Sequence, residues 1–94
     1  MVIGLCTIDL HLPGANSLKD KRSVIKSVMR RLRNEFNVSI AEVDQQDLWR
    51  STVIAVVTVS SDRAYAHGLL EKVVGWIERT RLDAQLVDYQ IEML

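Results

Sequence analysis

Apolar spacing in this chain of 94 residues switches between a two-residue and a helical period, and the order of the switches is its most constraining feature. From Val2 to Leu12 the pattern is extended. Val2, Gly4, Cys6, Ile8, Leu10 and Leu12 fall on one side, and Ile3, Leu5, Thr7, Asp9 and His11 on the other. Pro13-Gly14-Ala15-Asn16 breaks the run. Ser17 then fits an N-cap, with Asp20 three residues on as capping-box partner. The helix it opens runs to about Phe36. At about 100° per residue, Leu18, Ile25, Val28, Met29, Leu32 and Phe36 share one arc, the core face. Asn37 to Asp44 alternates again, with Val38, Ile40 and Glu42 against Ser39, Ala41 and Val43. Gln45 to Trp49 is a polar connection holding one large aromatic. Ser51 to Ser60 is dense in β-branched residues and reads as a strand. A second helix from Arg63 to about Thr80 presents Ala66, Leu69, Leu70, Val73, Trp76 and Ile77 to the core. Leu82 to Met93 closes the chain as a strand with polar breaks.

The order is βαββαβ. Two right-handed βαβ crossovers in that order give an α+β ferredoxin-like sandwich: one domain over residues 1–94, strand order 4-1-3-2, both helices on one face. The opposite face then needs attention, because strands 1 and 3 are apolar on both sides, as in strands buried on both faces. Ile3 and Leu5 with Ile54 and Val56 are the expected contact residues of that open face, and a second copy of the chain is its expected cover. The predicted state is a homodimer. A chain this short buries only about 60–65% of its unfolded surface, so association also helps its stability.

Composition removes several function classes. Twelve Lys plus Arg balance twelve Asp plus Glu, which excludes binding through bulk charge. The single cysteine, Cys6, has no partner for an internal disulfide and sits in an apolar run, which predicts a reduced thiol and the cytoplasm. No Cys/His spacing suits zinc, and no cofactor motif is present. No leader pattern opens the chain, and its apolar runs are too short for a bilayer, so no membrane partner is expected.

The zero sum conceals a dipole. Lys19, Lys21, Arg22, Lys26, Arg30, Arg31 and Arg33 lie within fifteen residues that contain one acid, Asp20, so the segment carries +6 and the remainder −6. Lys19, Arg22, Lys26, Arg30 and Arg33 share an arc of about 80° flanking the core face, along about 21 Å of helix. Such a stripe suits several phosphates; with Lys21 it forms the candidate polyanion site. A plain solvated helix face and an ion-paired dimer interface are the alternative readings. The Pro13 to Ser17 turn offers a weaker anion site at the helix N-terminus. Asp9 and His11 share a strand face, and catalysis would require Ser17 to join them. Glu42, Asp44 and Asp47 near Trp49 match no cation-binding spacing; Trp49 is expected to fold back on the core or cross a subunit interface. His67 reads as a surface residue without a partner. No catalytic residue and no metal ligand is assigned. Strands 1 and 3 hold no Phe, Tyr or Trp, so base stacking on the sheet, as in RNA-recognition motifs, is excluded.

Three stretches resemble the YlxP-like family of small bacterial proteins: Asp9 to Lys26, Phe36 to Trp49, and Val87 to Glu92. Together they span nearly the whole chain. The resemblance implies the same ferredoxin-like fold and no known activity. It also implies genetic neighbourhood with ribosome-maturation and translation-initiation factors, an association rather than a mechanism. The combined expectation is a non-enzymatic binding protein without cofactors, associated with RNA or the ribosome through its first helix. The alternative is an oligomeric structural or regulatory module that takes a protein partner or small ligand at the open sheet face.

Overall fold

In the computed structural model, which describes residues 1–94, six elements follow in the expected order: β1 (Val2–His11), α1 (Leu18–Glu35), β2 (Ser39–Asp44), β3 (Ser51–Ser60), α2 (Arg63–Arg79) and β4 (Gln85–Met93). The strands form one antiparallel sheet in the order β2-β3-β1-β4, the ferredoxin-like arrangement read in the other direction. The predicted N-cap of α1 is in place. Ser17 Oγ accepts from the Asp20 amide at 3.0 Å, and Asp20 returns a carboxylate to the Asn16 amide at 3.1 Å. Asp62 caps α2 by accepting from the Ala64 amide at 3.0 Å.

Cys6, Ile8 and Leu10 of β1 meet Ile25, Val28 and Leu32 of α1 and Leu70, Val73 and Ile77 of α2 in one core. Each such side chain removed from water stabilises the fold by about 1.5–3 kcal/mol. Burial pushes the Cys6 thiol up from 9.0 to about 11, so it stays protonated and unreactive in the folded chain at neutral pH. The sign follows from linkage: this thiol favours the fold below pH 9, and the contribution is lost as pH rises from there through about 11.

Register corrects the open sheet face. Cys6 pairs with Val56 and Ile8 with Ile54, so Ile54 and Val56 stand on the helix-covered side and are core residues. Cross-strand partners share a face. Ile3 faces Val59 and Leu5 faces Val57, so the open face carries Ile3 and Leu5, as expected, with Val57 and Val59. A strand apolar on both sides does not reveal its parity; only the pairing register does.

The edge strands are shorter than their patterns suggest, and both are irregular. Register shifts once in β2, between Glu42 and Asp44, and once along β4, where Leu10 pairs with Leu86 and Asp9 with Asp88. Val43 and Val87 are the extra residues, and both are exposed. A bulge of this kind blunts an edge strand against unwanted pairing.

Candidate nucleic-acid interface

The structure divides the seven basic residues around α1 into three groups. Lys19, Arg22, Lys26 and Arg30 are exposed and make neither a hydrogen bond nor an ion pair. Arg33 is also exposed and reaches over the edge of the sheet, donating from Nη2 to the Ile40 carbonyl at 3.0 Å, so the stripe flanks β2. On the other flank Arg31 covers the Trp76 ring at 5.4 Å, joining α1 to α2.

Lys21 does not belong to the surface. It is 1% exposed and lies on the core side of α1 with Ile25, Val28 and Leu32. Its Nζ is 3.0 Å from Glu42 Oε2 and donates to the Gln45 carbonyl at 2.5 Å. The same Glu42 oxygen accepts from Thr52 Oγ1. A buried ammonium needs such partners, and here they tie α1 to the end of β2 and the start of the following loop.

The other candidate clusters are taken up in structure. Ser17 Oγ is engaged as the cap of α1, and His11 Nδ1 lies 3.0 Å from the Arg50 carbonyl. Asp9 sits opposite Asp88 on the open face of the sheet. The groove beside the Pro13 to Ser17 turn is lined by Asp20 and Asp83, charges that repel an anion. Glu42 is paired with Lys21, while Asp44 Oδ1 accepts from the Gln45 amide at 2.7 Å, so the acidic turn does not converge on a cation. His67, expected alone, pairs with Glu71 one helical turn on at 2.8 Å.

Trp49 folds neither onto the core nor beneath the chain: it is 52% exposed, beside Leu48, which is equally exposed. Its loop is nevertheless well tied. Arg50 Nε donates to the Ala15 carbonyl at 2.9 Å and Arg50 Nη2 to Asn16 Oδ1 at 3.1 Å. The Leu12 amide donates to the Arg50 carbonyl at 2.9 Å. Gln45 adopts φ of 60°, a left-handed turn that aims its carbonyl at Lys21. Sequence reading passed over Arg50 because its partners lie 34 and 35 residues away and form no local pattern.

Fold and surface together define a small ferredoxin-like protein with an exposed, unpaired stripe of four cations on its first helix. A family model described as "Protein of unknown function (DUF503)" matches residues 3–91, and the chain belongs to this family. It is similar to "Uncharacterized protein YlxP" of Bacillus subtilis (strain 168), with 38% identity over 77 residues, covering 82% of this chain and 84% of that protein. The resemblance read from the sequence is thereby shown. No helix is long and apolar enough to cross a membrane.

Proposed function

We propose that the protein is a non-enzymatic RNA-binding protein, acting in the cytoplasm on RNA or ribosomal surfaces, and that the exposed stripe of α1 contacts phosphates. One observation carries the reading. Lys19, Arg22, Lys26 and Arg30 repeat at i,i+3 and i,i+4 with no carboxylate paired to any of them. Like charges at these spacings each cost a helix a few tenths of a kcal/mol, whereas interleaved Glu would stabilise it. A phosphate backbone offsets that cost, and its contacts position a ligand without reading its sequence. Arg33 keeps donors free beyond its bond to Ile40. The test is binding of a labelled short uridine oligonucleotide across a salt series. Arg22→Gln, Lys26→Gln and Arg30→Gln together are expected to weaken binding more than about tenfold and to flatten the logarithmic salt slope by about 2, at about 0.7 per phosphate lost. Unchanged affinity and slope in a folded triple variant refute the assignment.

A second reading rests on the bare sheet face, where Val59 is 64% exposed beside Ile3, Leu5 and Val57. A second copy packed sheet to sheet covers this stripe. Acids stand on both edges of this face, Asp88 and Glu92 on β4 and Asp44 on β2. Sedimentation equilibrium should give twice the chain mass for the wild type and the single mass for Val57→Asp. A monomeric wild type at high micromolar concentration removes this reading.

A further inference from the structure

We propose that the ligand of the α1 stripe is an unpaired nucleic-acid strand and that one of its bases stacks on Trp49. The inference rests on the phosphate-binding reading above and adds to it the class of ligand and a second contact residue.

Half of the Trp49 side chain is left in water. A ring of that size usually contributes its area to a core or an interface. Here the exposure is held in place, because both ends of the loop are fixed: Gln45 through its carbonyl bond to Lys21, and Arg50 through Ala15, Asn16 and Leu12. These anchors all lie at the end of β1 and the start of α1. Lys19 and Arg22, the first members of the unpaired stripe, stand in that same opening segment of α1. The loop bearing Trp49 and the first turn of the stripe therefore lie at the same end of the fold. The cation–π pair of this fold joins Arg31 to Trp76 and does not involve Trp49.

Charge distinguishes the two parts of the surface. Asp47 in the loop and Asp44 at the end of β2 repel a phosphate near Trp49, while the α1 stripe attracts one. A strand lying with its backbone along α1 and a base turned toward Trp49 satisfies both. A duplex does not, because its bases are already stacked and the deep groove of an A-form helix is closed to side chains. Sequence-tolerant stacking of this kind is how single strands are held beside a cationic track. The loop thus supplies the aromatic platform that β1 and β3 lack.

The experiment compares fluorescence anisotropy of a labelled single-stranded oligonucleotide and a duplex of equal length. Wild type should prefer the single strand. Trp49→Ala should weaken that binding about 5- to 150-fold, the range for one stacked base, with the salt slope unchanged and Trp49→Phe recovering part of the loss. In a Trp76→Phe background, emission then comes from Trp49 alone and should be quenched as the oligonucleotide binds. Unchanged single-strand affinity in Trp49→Ala, or no quenching, overturns the stacking while the charge-stripe variant still tests the phosphate reading separately. If Trp49→Ala instead loses self-association with its RNA affinity intact, Trp49 is a protein contact and the proposal falls. Absence of binding to either oligonucleotide by wild type removes both readings together.

Discussion

Lys21→Ala is expected to destabilise the protein by about 3 kcal/mol, more than any substitution in the exposed stripe of the same helix. Removing one member of a buried ion pair usually costs about 3–5 kcal/mol, because the other charge is left without its partner. Glu42 retains 20% exposure, so water partly compensates its carboxylate and the low end applies. The Gln45 carbonyl also loses its donor, and the hold on the loop bearing Trp49 weakens. For a chain of this length, about 3 kcal/mol corresponds to a fall in Tm of roughly 12 °C or more. Lys21→Met combined with Glu42→Gln should be more stable than Lys21→Met alone by more than about 1 kcal/mol, since no uncompensated charge then remains and Thr52 keeps an acceptor. Urea unfolding of these variants measures both quantities. A cost for Lys21→Ala below about 1 kcal/mol, within the range of exposed pairs, would return Lys21 to the surface stripe.

Lys21 also shows where sequence reading stopped. Its charge grouped it with Lys19 and Arg22, yet its spacing to Ile25, Val28 and Leu32 places it on the core side of α1. The period was present in the sequence. The partner that makes burial tolerable, Glu42, lies on another element and leaves no local trace. Ile54 and Val56 were misplaced for a related reason: β3 is apolar at both parities, and its facing is decided by pairing with Cys6 and Ile8. Element order, sheet order and the Ser17 cap follow from local periodicity and turn chemistry, so these were legible. The exposed stripe was legible too, because 3.6-residue spacing places Lys19, Arg22, Lys26 and Arg30 together whatever they face. Trp49 was not. Its exposure depends on Arg50 reaching Ala15 and Asn16, a long-range arrangement that no local pattern announces.

Gly4→Val is expected to cost about 2–3 kcal/mol, an overpacking effect at a strand glycine on which Leu70 of α2 packs. A Cβ built on Gly4 would lie 2.9 Å from Leu70 Cδ1, with Thr58 Cγ2 at 3.5 Å and Met93 Cε at 3.6 Å. Leu70 is fully buried, so its methyl cannot swing into water; it moves only by displacing Val73 and other neighbours in the same core. Alanine brings the same Cβ contact with Leu70 but none of the further methyls of valine. Gly4→Ala should therefore be much milder than Gly4→Val. Leu70→Ala alone should cost about 3 kcal/mol, for lost burial and the cavity left behind. The two changes relieve each other, because the valine fills space that the leucine vacates. The double variant Gly4→Val with Leu70→Ala should thus be more stable than the sum of the single costs by about 1–2 kcal/mol. Strict additivity in a urea double-mutant cycle would mean that α2 does not rest on Gly4. The α2 side of the core would then be packed differently from the arrangement described.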